Sequence, residues 1–227
     1  DPSSFLLSLK NVFAAAGQHN FDFNTQQDVA EILEFILNKV TDSSVVTRDS
    51  FNIRSLTSLF CHNCMQPNNR EDNQSILRLP VLKDVPTASS NLLETEQLVD
   101  SNAPFCYVCS EKKDSDSKLI LSNIGHLLII QLNRIIVSEG VVTKICAPFS
   151  CTPLIEVDTT SDNEVHLKRK FKLSAIINHS GTLDNGHYTC VINDGEFWWH
   201  CNDRAVLETR LADMDDTLPY VLFYQAV

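Results

Sequence analysis

Apolar residues recur with a helical period near the start of the chain and with a strand period further on. Residues 5–16 carry apolar side chains at helical spacing, and residues 25–40 do so more clearly. Thr25 as N-cap with Asp28 three positions later is typical of the start of a helix. From about residue 51 short apolar alternations replace the helical pattern. Helices followed by strands predict an α+β fold.

The predicted strands are short and separated by polar segments. They cover Ile53–Phe60, Ile76–Val81, a strand pair within Lys118–Val137, Phe171–Asn178, Tyr188–Ile192, Phe197–Cys201 and Val221–Gln225. One further short helix is expected over Asn91–Val99. The polar stretches 111–117 and 158–170 are expected to be loops.

The overall charge of the chain limits the classes of partner that it can bind. The 227 residues, enough for one large domain or two small ones, carry a net charge of −11. Such an acidic chain repels nucleic acid and anionic membranes and favours a basic partner. No apolar run approaches the ~20 residues of a membrane span, and no signal peptide is recognisable at the start. These features predict a folded protein that binds neither nucleic acid nor membranes.

Four of the eight cysteines form two Cys-x-x-Cys pairs, which indicates a metal site. Cys61 with Cys64, and Cys106 with Cys109, together offer four thiolates, the ligand set of a closed structural zinc site. The 41 residues between the pairs exceed the usual spacing, but a hairpin can bring the pairs together. The alternatives are two independent buried pairs or two redox pairs, while a disulfide scaffold suits a shorter secreted chain.

Residues 182–206 combine a tight-turn signal with a histidine and an asparagine. Asp194-Gly195 is typical of a two-residue hairpin loop. In that register His187 lies opposite Asn202, and Cys190 lies opposite Trp199. An asparagine there can fix the imidazole tautomer and leave the second ring nitrogen as a base. The alternative is a surface pair on an ordinary hairpin.

Several motifs together resemble the ubiquitin-specific protease (ubiquitin carboxyl-terminal hydrolase, peptidase C19) family of cysteine deubiquitinases. They are His179-Ser180-Gly181, Gly186-His187-Tyr188-Thr189, Trp198 to Asp203, Gln26 to Glu31, the two cysteine pairs, and Lys118 to Arg134. The last ends in Asn133-Arg134-Ile135, where the family usually has Lys-Arg-Phe. The motifs span nearly the whole chain in the family's order.

The resemblance implies a papain-like cysteine protease fold in three parts. These are a partial helical thumb (1–50), β fingers with a zinc ribbon (51–125), and an antiparallel β palm (126–227). It implies a structural Zn²⁺ in the fingers, held by the four paired cysteines. It also implies ubiquitin and ubiquitinated proteins as partners and an intracellular location, cytoplasmic, nuclear or both.

The resemblance also assigns roles to individual residues. His187 would be the general base and Asn202 its orienting partner, while Asp203 matches a second polar position near the base or the oxyanion. The reaction would be hydrolysis of isopeptide or peptide bonds after the C-terminal glycine of ubiquitin. Asp28 and Glu31 match positions that hold the basic tail of ubiquitin; without the resemblance they would be a solvated helix face.

One family motif has no match in the chain. The family's nucleophile sits in a Gly-Asn-Thr-Cys box, whereas the first cysteine here is Cys61, already in a metal-binding pair. The nucleophile is therefore expected upstream of these residues, which alone should be inactive. The alternative is a catalytically inactive ubiquitin-binding or scaffold module of the same fold.

Overall fold

The computed structural model describes residues 2–17, 25, 27–43, 45–160, 165–182, 185–214 and 218–227. These described residues form four α-helices: α1 (Pro2–Ala15), α2 (Val29–Ser43), α3 (Val45–Phe51) and α4 (Val85–Leu93). Short 3₁₀ helices cover Asp100–Asn102 and Leu211–Met214. Three helices precede the first strand, so the predicted α+β order is confirmed.

Sixteen strands account for most of the remaining described residues. They are β1 (Ile53–Cys61), β2 (Pro67–Gln74), β3 (Leu77–Pro80), β4 (Glu96–Leu98), β5 (Phe105–Cys106), β6 (Glu111–Lys112), β7 (Ser115–Ile124), β8 (Leu127–Asn133), β9 (Ile135–Ser138), β10 (Val141–Lys144), β11 (Leu154–Thr160), β12 (His166–Gly181), β13 (Gly186–Asn193), β14 (Trp198–Asn202), β15 (Ala205–Thr209) and β16 (Pro219–Ala226).

Most of these strands belong to two larger sheets. Four antiparallel strands in the order β2-β1-β7-β4 form one sheet. The larger, eight-stranded sheet has the order β15-β14-β13-β12-β16-β8-β3, with β11 paired to β12, and only β3 with β8 is parallel. Two separate two-stranded sheets are formed by β9 with β10 and by β5 with β6.

The two faces of the large sheet are covered by different elements. Leu222 of β16 and Ile130 of β8 belong to a core cluster that includes Val85 of α4. Val221 of β16 belongs to a second cluster together with Leu37 of α2. Because successive side chains of a strand point to opposite faces, helix α2 packs on the face opposite to α4. This placement brings the start of α2 beside β13 and β16.

The helix predicted over Asn91–Val99 lies elsewhere. Helix α4 ends at Leu93, and β4 follows it. The helix begins earlier because Asp84 is its N-cap, with a carboxylate that accepts the backbone N–H of Thr87, and Pro86 stands in the first turn. The Asp84-Val85-Pro86 start signal explains the shift.

The two segments predicted as loops are largely strand. Residues 111–112 form β6, and β7 begins at residue 115. Strand β11 continues to Thr160 and pairs with β12 from His166 onwards, while residues 161–164 lie outside the described residues. In both segments the strands continue into polar sequence because each residue finds a partner on the neighbouring strand. Composition alone favoured a loop there.

Candidate functional site

The hairpin of β13 and β14 closes with four residues rather than two. Asn193 pairs with Trp198, and the N–H of Asp194 donates to the carbonyl of Phe197. The Asp194 carboxylate accepts the N–H groups of Phe197 and Glu196 and the indole N–H of Trp199. These hydrogen bonds, chiefly that from Phe197, lower the pKa of Asp194. The carboxylate thus stabilises a wider loop than the Asp-Gly pair predicts.

The wider loop moves the register by two residues. Cys190 pairs with Cys201 and Ile192 with Trp199, so the predicted pairing of Cys190 with Trp199 is wrong. The predicted direct pairing of His187 with Asn202 is wrong as well, because β14 pairs with β13 only from Cys190 onwards. A shift of two residues keeps every side chain on its predicted face, because the side-chain period of a strand is two.

His187 and Asn202 nevertheless make the predicted contact. The Nε2 atom of His187 lies 2.7 Å from Oδ1 of Asn202, a diagonal contact across the hairpin. Because Oδ1 can only accept, Nε2 carries the proton in the neutral ring, and Nδ1 keeps a lone pair. The His187 side chain is 48% exposed. The arrangement is an oriented imidazole with one free basic nitrogen.

Asp203 stands at the edge of this pair. Its Oδ2 atom lies 4.0 Å from Nε2 of His187, and its side chain is 80% exposed. Strand β14 ends at Asn202, and Asp203 has a positive φ of 51° in the turn that follows. Inside a strand, Asp203 would point to the face opposite to Asn202. Because the strand ends before it, Asp203 can approach the ring of His187.

His179 supports the chain segment that leads into His187. Its ring stacks on Tyr188 with a centroid separation of 4.6 Å, and a Cβ at Gly186 would collide with it. Lys144 of β10 donates to the carbonyls of His179 and Gly181, at 3.0 and 2.7 Å. The strand end before the histidine is therefore held by an aromatic stack and by an ammonium group.

We expect His179 to make stability depend on pH. Burial and the neighbouring Lys144 lower the pKa of His179, although Asp28 opposes this. The unfolded chain then binds the proton more readily, so stability is full above pH ~6.5 and falls as the pH drops below that value. His179→Gln should flatten the dependence of melting temperature on pH between about 5 and 7. The exposed His166→Gln should leave it unchanged, and an equal flattening in both variants would contradict this assignment.

Asp28 lies at the start of α2 and faces the hairpin. Its Oδ1 atom accepts the N–H of Ala30 at 2.7 Å, and its Oδ2 atom accepts the hydroxyl of Tyr220 at 2.6 Å. The backbone N–H of Val29 donates to the hydroxyl of Tyr188 at 3.4 Å. Asp28 is thus the N-cap of α2, which begins at Val29. The predicted N-cap Thr25 is wrong, because the carboxylate that accepts an N–H group of the first turn belongs to Asp28.

Glu31 lies one turn further along the same helix and is exposed. Asp28 and Glu31 both contribute to the raised pKa of Tyr188, for which burial is the main cause. The structure therefore brings the two acidic residues and the histidine hairpin together at one place.

The four paired cysteines form a single cluster at the end of the four-stranded sheet. Their sulfur atoms all lie within 4.8 Å of one another. The Cys61 and Cys109 sulfurs are 3.9 Å apart, and those of Cys64 and Cys106 are 3.7 Å apart. Cys61 ends β1 and faces Ser115 of β7, and the short β5–β6 hairpin supplies the second pair. The long spacing in sequence is thus bridged by strand pairing.

The cluster fits a structural zinc ion. The residue after each pair, Met65 and Ser110, has a positive φ near 60°, at 59° and 56° respectively, so the two turns are alike. The N–H of Cys64 is the main cause that lowers the pKa of Cys61 to about 6, whereas burial is the main cause that raises the pKa of Cys64 to about 12. Four thiolates so close together need the positive charge of a metal ion. Four thiolates fill a tetrahedral site and leave no open position. The four cysteines would therefore hold Zn²⁺, whose positive charge offsets theirs.

His62 takes no part in this cluster. Its Nε2 atom lies 3.0 Å from a carboxylate oxygen of Asp116, and its side chain is 41% exposed. All eight cysteines fall within the described residues, and none of them forms a disulfide. Within those same residues, no helix is long and apolar enough to cross a membrane.

Comparison with known proteins decides the family. The model of the family "Ubiquitin carboxyl-terminal hydrolase" matches residues 4–224. The chain belongs to this family. The resemblance inferred from the motifs is thereby confirmed.

Curated relatives carry the same family name. Ubiquitin carboxyl-terminal hydrolase 21 of Homo sapiens is 33% identical over 132 residues, which cover 57% of this chain and 23% of the relative. Ubiquitin carboxyl-terminal hydrolase 9 of Saccharomyces cerevisiae is 25% identical over an alignment 261 residues long. That alignment covers 99% of this chain and 33% of the relative. The chain thus spans about a quarter to a third of the length of these relatives.

Solved structures confirm the fold. A chain of the SAGA DUB module with Ubp8, Sgf11, Sus1 and Sgf73 bound to monoubiquitin matches with a TM-score of 0.82 and 20% identity. The match covers 99% of this chain and 53% of that chain. A second structure of the module, bound to ubiquitin aldehyde, matches with a TM-score of 0.76 and 21% identity, over 89% of this chain and 50% of that chain. The mixed α+β architecture is that of known deubiquitinase structures.

Two residues of the site escaped the sequence analysis. Tyr220 lies just before the predicted strand Val221–Gln225 and was not singled out, yet its hydroxyl donates to Asp28 and accepts from Gln131. Lys144 carries no local motif, and its role arises from contacts with residues 35 and 37 positions later. No local signal marks either residue, because both act through pairing between distant segments.

Proposed function

We propose that this chain is part of the catalytic domain of a deubiquitinase, which hydrolyses isopeptide or peptide bonds after the C-terminal glycine of ubiquitin. The observation that carries the proposal is the 2.7 Å contact between His187 Nε2 and Asn202 Oδ1. Membership of the ubiquitin carboxyl-terminal hydrolase family supplies the reaction class. Ubiquitin fits as partner because the net charge of −11 favours a basic ligand tail.

The geometry supports a base-assisted thiol mechanism. Asn202 holds the ring of His187 with Nε2 protonated, so Nδ1 takes the proton of a cysteine thiol. The thiolate attacks the carbonyl carbon of the terminal glycine, and the protonated ring returns its proton to the leaving amine. A thioester remains, which water hydrolyses with His187 again as base. The exposed carboxylate of Asp203 lies 4.0 Å from Nε2, on the side of the ring that faces Asn202.

The nucleophile is proposed to come from outside residues 1–227. Four cysteines form the metal cluster. Cys190 is three residues after His187 on β13, and Cys201 directly precedes Asn202 on β14. Because successive side chains of a strand point to opposite faces, both cysteines lie on the face opposite to His187 and Asn202. Within the described residues no cysteine sulfur is hydrogen-bonded to His187. The same observation favours a second candidate, a ubiquitin-binding module without catalytic activity.

A substrate assay separates the two candidates. We expect residues 1–227 alone neither to cleave a fluorogenic ubiquitin C-terminal substrate nor to label with a ubiquitin-based thiol probe. The parent protein should do both if it is an enzyme. A parent that binds ubiquitin but stays silent in both assays would support the binding module. Labelling of the isolated chain that His187→Ala removes would overturn the proposed external nucleophile.

Glu31 and Asp28 are proposed to hold the basic tail of ubiquitin. Glu31 is exposed, so Glu31→Lys should weaken ubiquitin binding by up to about 1 kcal/mol, roughly fivefold in Kd, and the loss should shrink with added salt. Asp42→Lys, an exposed reversal near the other end of α2, is the matched control. Equal affinity of the Glu31 variant and the wild type at low salt, by isothermal titration calorimetry, would refute the assignment.

Asp28 requires a separate measurement because it also stabilises the fold. Asp28→Ala removes the N-cap and the partner of the Tyr220 hydroxyl. We expect it to lower the free energy of unfolding by about 1–3 kcal/mol. Its ubiquitin affinity is therefore interpretable only at temperatures where the variant is folded.

The remaining assignments follow from the same proposal. The division into a thumb (1–50), fingers (51–125) and a palm (126–227) stays a prediction, and β3 of the middle segment pairs within the large sheet. We propose an intracellular location, cytoplasmic or nuclear, because eight cysteines without a disulfide among them suit a reducing compartment.

A further inference from the structure

Two cysteines outside the metal cluster face each other across the candidate catalytic hairpin. Cys190 of β13 and Cys201 of β14 are direct partners in the antiparallel ladder. Residues at directly opposed positions have Cα atoms about 4.5–5.5 Å apart. Disulfides join Cα atoms about 4.4–6.8 Å apart. The backbone of the hairpin therefore already has the spacing of a disulfide.

The side chains of this pair are also close. The sulfur of Cys201 is near enough to raise the pKa of the Cys190 thiol, and both residues are half-buried. Their next neighbours across the sheet are Ile177 and Val206, so apolar residues flank the pair on both sides. Because neither residue is fully buried, a reagent as small as hydrogen peroxide can reach the pair.

We propose that Cys190 and Cys201 are a reversible oxidation site, which hydrogen peroxide converts into a cross-strand disulfide. The sulfur of one cysteine attacks one peroxide oxygen, the O–O bond breaks, and a sulfenic acid and a water molecule form. The sulfur of the other cysteine then attacks the sulfenic sulfur, its proton passes to the leaving hydroxyl group, and a second water departs. Two thiols are oxidised, and one peroxide is reduced to two water molecules.

The two thiols influence each other in the reduced hairpin. Burial is the main cause that raises the pKa of the Cys190 thiol, and the sulfur of Cys201 raises it further. The disulfide would join β13 to β14 on the face opposite to His187 and Asn202. It would hold the two strands together without covering the imidazole.

The test reads the thiols directly and does not depend on deubiquitinase activity. The folded chain with zinc bound is treated with hydrogen peroxide, its free thiols are alkylated, and its peptides are mapped by mass spectrometry. We expect a peptide pair linked through Cys190 and Cys201 that dithiothreitol releases. Cys190→Ser and Cys201→Ser should each abolish the link completely. Cys146→Ser, at an exposed cysteine, should leave it intact.

Two results would overturn the proposal. One is that Cys190 and Cys201 stay fully alkylatable while Cys146 is oxidised. The other is that either cysteine links to a different residue in the folded protein. Because unfolding would scramble the thiols, circular dichroism of the treated sample and a count of bound zinc confirm that the fold is retained. A linked pair found only after these two signals are lost counts against the proposal.

Discussion

Cys106→Ser is expected to release the metal and to unfold the end of the four-stranded sheet. Cys106 is one of four sulfur ligands within 4.8 Å of one another, and the short β5–β6 hairpin that carries it has only two residue pairs. So small a hairpin has little stability of its own. Structural zinc contributes about 10–16 kcal/mol of apparent binding free energy in zinc-finger peptides, so its loss has a large effect.

The measurement is the zinc content per chain together with the melting temperature. Wild-type protein should hold one zinc ion, and Cys106→Ser well under one, with a lower melting temperature. Cys146→Ser should match the wild type in both, because that cysteine is exposed and outside the cluster. A Cys106→Ser protein that retains a full zinc ion would show that the cluster is not the metal site.

His187→Ala is expected to abolish the activity of the parent deubiquitinase. The ring nitrogen that takes the thiol proton is lost, and general acid–base catalysis by such a group contributes about 10²–10⁴-fold in rate. Asn202→Ala should cost less, because the base remains and loses only the acceptor that fixes its tautomer. Asp203→Asn should cost least, since that carboxylate is 80% exposed and 4.0 Å from the ring.

The rates are measured as kcat/KM on a ubiquitin C-terminal substrate, and ubiquitin affinity is measured in parallel. Affinity should stay at the wild-type value in His187→Ala, which separates lost chemistry from lost binding. His166→Ala, at an exposed histidine on β12, is the control. Activity of His187→Ala within a few-fold of the wild type would remove His187 from the mechanism.

Patterns local in sequence were predicted well. The apolar stripe of α2 requires only the helical period, and its Leu37 is buried as that stripe implies. The two Cys-x-x-Cys pairs identify the metal ligands because each pair shapes its own turn. The motifs around His187 identified the family, which the match over residues 4–224 confirms.

The contact between His187 and Asn202 was predicted from a register that is wrong. The Asp194 carboxylate binds two N–H groups and an indole, and it stabilises a loop two residues longer than Asp-Gly favours. The contact survives because a shift of two positions preserves the face of each side chain. A shift of one residue would have separated the pair.

By itself the sequence determined the elements and the chemistry they carry: the α+β order, the four ligands of the metal, and a histidine and an asparagine on one face of a hairpin. Only the tertiary structure decided that Asp28 bonds Tyr220, 192 positions away, and that Cys190 meets Cys201. The reason is physical. Periodicity and turn residues record interactions between near neighbours, whereas register and the partner of a polar group depend on segments that meet only when the sheet forms.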